Sequence, residues 1–182
     1  RDHYTWLFNY PDLSSTCEVV WNFLDPEKIS EKCAEALYMG IVHDTGVFQY
    51  SCTSPRTMRI AASLMEKGIP FSRIVDSTYY EKTFIQNQLL GRALMESFLM
   101  FDGKMIVSCI RKRDMDFYNA SPADMDGIVS QMRNTAGVEV SVFMYELETG
   151  KWKVSLRSVD KVDVSVVAQI YGGGGHARAA GV

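Results

Sequence analysis

Read from the N-terminus, the apolar positions first recur at helical intervals. LSSTCEVVWNFLD (13–25) sets Ser14 and Ser15 ahead of apolar residues three and four apart, with Glu18 nearby, so a capped helix is expected there until Pro26 interrupts. DPEKISEKCAEALYMGI (25–41) opens on Asp-Pro-Glu and carries Ile29, Cys33, Ala36, Leu37 and Gly40 on one face, a second helix. TSPRTMRIAASLMEKGI (53–69) repeats the grammar with a cap, a proline, then Met58, Ile60, Ala61, Leu64 and Met65, and Gly68 as the stop. FSRIVDSTYY reads as another short helix.

From about Lys82 the texture changes. KTFIQNQLLGRALMESF is helical without a strong breaker, and Asp102-Gly103 then separates FLMF from MIVSCI, a hairpin signal. SPADMDGIVSQMRNTAG (121–137) reads as a capped helix. VEVSVFMYELETGKWKVSLRS reads as two strands, 138–146 and 151–158, around a Thr149-Gly150 turn. A last helix opens at Asp163 and stops at the glycines of YGGGGHARAAGV. The expected architecture is α/β in two lobes: residues 1–80, a connecting helix over 81–97, and a strand-containing lobe over 98–182 with a mixed sheet.

Composition narrows the class of protein. With 47% hydrophobic and 23% charged residues the chain is that of a packed protein. A net charge of −3 argues against non-specific polyanion binding but leaves room for a local basic pocket. Four dispersed cysteines make no CxxC pair, which points to a reducing cytoplasm rather than to disulfides or a zinc ribbon. No stretch reaches the roughly 20 apolar residues of a membrane span. The opening RDHYTWLFNY resembles neither a signal peptide nor a natural start, so the chain reads as a piece of something longer.

Two stretches carry candidate chemistry. In MGIVHDTGVFQYSCTSPRT (39–57) an apolar element runs into His43-Asp44-Thr45-Gly46. Asp44 reads foremost as a local cap at a helix end, and alternatively as a carboxylate at a site's rim able to bind a divalent cation. His43 and Arg56 stay open between packing and contact with a ligand. The second stretch is KVSLRSVDKVDVSVVAQIYGGGGHARAAGV (153–182). On a strand, Ser155 and Arg157 share one face, and an arginine fork suits phosphate or carboxylate. Gly172, Gly173, Gly174 and Gly175 exceed what a helix stop needs, and His176 follows, so an anion-binding loop is favoured over a flexible tail. Neither GxxxxGK[ST] nor GxGxxG is present. The KRDMD charges read as a solvated turn.

Together GIVHDTGVFQYS.TSPRT, VSLRS..KVDVS.VA and GGGGHARAAG resemble the DHH phosphoesterase family with its DHH-associated C-terminal domain, of the nanoRNase and pAp-phosphatase type. The resemblance covers essentially the whole chain. It implies that Asp44 is a ligand of a catalytic Mn²⁺ pair, with Mg²⁺ as the alternative cation. It also implies that Ser155, Arg157, the Gly172–Gly175 run and His176 grip a nucleotide and its phosphate, Asp44 and His176 being the catalytic pair. The substrates implied are short single-stranded RNA and 3′-phosphoadenosine 5′-phosphate (pAp), the setting cytoplasmic with no membrane, and a homodimer possible. The family's earlier metal motifs, DxD and DHH, are absent from this chain, and Asp2-His3-Tyr4 reads as coincidence. This chain by itself is therefore expected to be inactive. A nucleotide sensor without hydrolysis and a cyclic-di-AMP phosphodiesterase of the same family are the alternatives.

Overall fold

The computed structural model describes residues 7–182, so the Asp2-His3-Tyr4 reading lies outside the described residues. The chain divides into two compact units, 1–81 and 82–182.

The first unit is helical throughout its described part: α1 (Thr16–Trp21), a 3-10 turn (Pro26–Lys28), α2 (Glu31–Asp44), α3 (Pro55–Met65) and α4 (Phe71–Val75), which passes into a π-helical turn over Asp76–Tyr80. Ser15 caps α1 by accepting from the Glu18 N–H at 3.1 Å. The second helix begins five residues later than its pattern suggests, because Pro26 opens only a 3-10 turn and Ser30 is the true cap. Its inward face is accordingly Ala34, Leu37, Tyr38, Ile41 and Val42, while Ala36 is exposed. These pack with Ile60, Ala61 and Leu64 of α3 into one core. Met58, expected inside, is 49% exposed.

The second unit opens with α5 (Phe84–Met95), capped by a Thr83–Gln86 box. The helix expected as a connection sends Leu89 and Ala93 into this unit's core. There follow β1 (Phe98–Met100), β2 (Met105–Ile110), α6 (Lys112–Phe117), α7 (Ile128–Arg133), β3 (Val140–Glu148), β4 (Lys151–Ser158), α8 (Val164–Ile170), β5 (Gly174–His176) and β6 (Ala179–Gly181). Two expectations are corrected. KRDMD is helix α6, with Asp114 buried against Arg92 at 3.1 Å, so it is no solvated turn. The 121–137 helix is split, because Gly127 at φ +88° ends a 3-10 turn and starts α7 afresh.

The sheet order is β1-β2-β3-β4-β6-β5, antiparallel except for the parallel β2–β3 pair. Helices α6 and α7 supply the crossover that a parallel pair requires. Alternation then divides the sheet into two faces. The front face carries Ile106 and Ile110 of β2 and Phe143 and Tyr145 of β3, covered by α5, α6 and α7. The back face carries Val140, Val142, Val154, Leu156 and Ala180, covered by α8. Among the described residues no helix is long and apolar enough to cross a membrane.

Candidate functional site

Asp44 is the last residue of α2, and its side chain is exposed. It does not act as the cap. Thr45, fully buried, takes that work: its hydroxyl donates to the Ile41 carbonyl at 2.6 Å and accepts from the Phe48 N–H at 3.0 Å. The chain then turns through three successive left-handed residues, Gly46 (φ 57°), Val47 (φ 56°) and Phe48 (φ 64°). A β-branched residue in that region costs roughly 1–2 kcal/mol. The turn is held regardless, by Val47 N–H to Val42 O at 2.8 Å, by Tyr50 N–H to Thr45 O at 2.9 Å, and by packing of Val47 and Phe48 on the first core. Gly46 is required there twice over, for its φ and because the Tyr50 ring lies where a Cβ would stand, its Cε1 at 2.6 Å. Asp44 thus sits at the start of an over-determined turn, with its carboxylate in no hydrogen bond or ion pair among the described residues. Burial, and then the Asp44 charge, push the Cys17 thiol above its ordinary pKa.

His43 is engaged elsewhere in the same unit. Its Nε2 shares a hydrogen bond with the Thr78 hydroxyl at 3.0 Å, and its ring meets Tyr79 edge-on at 5.7 Å. Arg56 resolves as an internal contact. Its Nε donates to Glu18 Oε1 at 3.1 Å, and Nη2 reaches the Asn22 side chain. Glu18 itself has 0% exposure and also accepts from the hydroxyls of Ser14 (2.6 Å) and Thr57 (3.0 Å). Burial alone would raise its pKa, but the Ser14 and Thr57 hydrogen bonds and the Arg56 charge outweigh it and hold the carboxyl below the usual range. Nothing in the local pattern marks Glu18 as buried, since its partner Arg56 lies in another helix.

The second candidate is assembled by sheet register. Arg157 on β4 pairs with Ala179 on β6, and Ala179 pairs with His176 on β5. One step along, Ser155 pairs with Gly181, and Gly181 with Gly174. All six residues point to the front face, and Arg157 and His176 stand in one row two strands apart, about 9–10 Å. Over β2 and β3 that face lies under helices, with Phe143 at 1% and Tyr145 at 4% exposure. Beyond β3 it opens: Ser155 and Arg157 are half-buried and His176 is exposed. Arg157 directs Nη1 to the Leu156 carbonyl at 2.9 Å. Three of the predicted polar side chains therefore share one uncovered shelf, and Asp44 belongs to the other unit.

The glycine run is not a loop. Gly172 (φ +78°) and Gly173 close α8 by donating to Gln169 O at 3.1 Å and Ala168 O at 2.9 Å, the paired bonds of a Schellman end. Gly174 and Gly175 then form β5. A Cβ on Gly173 would strike the Gly181 carbonyl and come within 2.9 Å of Val182 Cα, and one on Gly175 would lie 2.5 Å from Ala180 Cα. A Cβ on Gly174 meets nothing. Arg178 stays off the shelf, donating to Val162 O at 2.9 Å.

Among the described residues no three His, Cys, Asp or Glu side chains gather as a group that could hold a metal ion. Asp44 can supply one oxygen ligand, and a pair of hard cations needs several. The described residues therefore do not by themselves fit a metal pair.

Residues 102–182 match the DHHA1 domain family. A "bifunctional oligoribonuclease and PAP phosphatase NrnA" from Thermus thermophilus is 29% identical over 94% of this chain and 51% of its own length. A "probable bifunctional oligoribonuclease and PAP phosphatase NrnA" from Streptococcus mutans is 31% identical over 100% of this chain and 58% of its own. The chain thus spans about half the length of the curated relatives it matches. Among solved structures, an exopolyphosphatase-related protein from Bacteroides fragilis superposes with a TM-score of 0.88 at 27% identity, covering 99% of this chain and 56% of that one. Residues 102–182, most of the C-terminal unit, thus carry a DHHA1 domain, and the chain as a whole is similar to these relatives.

Proposed function

We propose that the full-length protein is a metal-dependent phosphoesterase that hydrolyses short RNA oligonucleotides and pAp, this chain supplying one carboxylate and the surface that grips the phosphate. The observation that carries the reading is the register that stands Arg157 and His176 in one row of an open sheet face, beside Ser155. Arg157 offers a planar fork to phosphate oxygens, and Ser155 and His176 add donors within the same patch. The glycines act by shape: Gly172 and Gly173 end α8 and turn the chain into β5, Gly173 lying close against Gly181 of β6, and the bare Gly174 leaves the shelf low enough for a ligand to approach the backbone. The names carried by the relatives from Thermus thermophilus and Streptococcus mutans support the substrate class.

Hydrolysis adds water across the P–O ester bond, hydroxide to phosphorus and the proton to the departing oxygen. The cation in this proposal is Mn²⁺, whose chemistry would be to activate that water and to offset charge on the phosphate. Asp44 is the carboxylate this chain offers to it, and further donors would come from outside the described residues. The absence of a metal-holding cluster among the described residues favours a second reading, a protein that binds nucleotides without cleaving them.

The test is release of inorganic phosphate from pAp, and of mononucleotides from a short RNA, by full-length protein with and without manganese. Cleavage of both, lost on chelation and restored by manganese, is expected. Tight nucleotide binding with both substrates left intact would establish the second reading instead.

A further inference from the structure

The front-face parity of β4 does not stop at Ser155 and Arg157. Lys151 and Lys153 share it, and the two differ in what holds them. Lys151 is paired with Glu148 at 2.8 Å, so its charge is already answered. Lys153 pairs in register with Tyr145, is exposed, and makes no ion pair among the described residues. Its ammonium is held over the Tyr145 ring at 5.8 Å from the centroid, and that ring is only 4% exposed. The stem covers a buried aromatic while the charge stays in water, so the cation is positioned at little further cost in side-chain order. No strand position on the front face of β4, β6 or β5 carries a carboxylate: β4 places Lys151, Lys153, Ser155 and Arg157 there, and β6 and β5 add only small residues and His176.

We infer that Lys153 is a second phosphate contact that selects oligonucleotides over single nucleotides. This rests on the reading of the shelf as the substrate surface. Four residues of strand separate Lys153 from Arg157, about 13 Å, which exceeds the separation of two phosphates on one ribose. A ligand that reaches both cations must therefore run past its first nucleotide. A chain of two or more linkages can lie along β4 with its terminal phosphate at Arg157 and an inner one at Lys153. The two phosphates of pAp stay near Arg157 and His176.

The experiment uses full-length protein and two ligands: a fluorescent RNA trinucleotide with slowly hydrolysed phosphorothioate linkages, read by anisotropy over a salt series, and pAp, read by its KM. Lys153→Met keeps the stem over Tyr145 and removes the charge. Losing one phosphate contact on a single strand lowers the salt slope by about 0.7 and weakens binding about five-fold near 0.1 M salt. That is the expected change for the trinucleotide, with the KM for pAp unchanged, Lys153→Arg restoring the wild-type values and Lys151→Met having no effect. Equal weakening of both ligands, or of neither, overturns the assignment. If Arg157→Ala weakens both ligands and Lys153→Met neither, only the Lys153 assignment falls; if Arg157→Ala weakens neither, the substrate surface itself is misplaced.

Discussion

The two candidate regions of this chain are built by opposite means. Asp44 is placed by its own neighbours: a helix end, a buried threonine and three left-handed residues within five positions fix the backbone around it. The proposed phosphate shelf is placed by register between separate strands, Ser155 and Arg157 on β4 and His176 on β5. A locally built site fails by strain relief in one turn. A site built by register fails when a strand slips or an edge hairpin opens, even if every predicted side chain is intact.

That contrast can be broken at its weakest joint. Gly173→Ala forces a Cβ into the Gly181 carbonyl and should separate β5 from β6, at a cost of about 1–3 kcal/mol typical of overpacking. Denaturant unfolding of the second unit should show it, together with loss of nucleotide binding as His176 leaves its row. Undiminished stability would mean that the hairpin tolerates a side chain and that the glycine serves something else.

A smaller effect is expected in the first unit. The Glu18 carboxyl titrates below its ordinary value, so its stabilising contribution is complete above the unfolded value of about 4.3 and is lost as pH falls through the lower folded one. Acid unfolding of wild type should steepen below that pH, and Glu18→Gln should flatten the limb while costing about 1 kcal/mol at neutral pH. Parallel acid limbs for the two proteins would remove Glu18 from the account. Gly174→Ala should be the mildest change, under about 0.5 kcal/mol in stability, because nothing lies where its Cβ would stand. It should still weaken pAp binding if a ligand approaches that backbone.

Much of this was legible in the sequence. The 2.0 and 3.6 periods marked strands at 138–146 and 151–158, found at 140–148 and 151–158, and helices over 53–69 and 82–98, found at 55–65 and 84–95, and the parity of Ser155 and Arg157 sufficed to put them on one face. What local pattern could not show was partnership. That β5 and β6 extend the sheet beyond β4 depends on pairing between distant segments, so YGGGGHARAAGV reads as a loop until its register is known. The burial of Glu18 and Asp114 depends on Arg56 and Arg92, each on another helix. The late start of α2 was legible in principle, because Ser30 is a better cap than Asp25-Pro26 is a helix opening. Lys153 also lay within reach, one strand period before Ser155; its distinction from Lys151 needed the Glu148 ion pair.

The central claim is that chemistry and phosphate grip are divided between the two regions. It is tested most directly by measuring binding and turnover of pAp in parallel for full-length Asp44→Asn and Arg157→Ala. Asp44→Asn should bind pAp as wild type does while its kcat falls by at least about 10²-fold, the upper end of what loss of a group that merely orients a metal ligand produces. Arg157→Ala should weaken binding by about ten-fold or more, as expected for a lost charge-assisted hydrogen bond, and keep most of its kcat at saturation. If both variants lose binding and turnover in the same proportion, the division is contradicted.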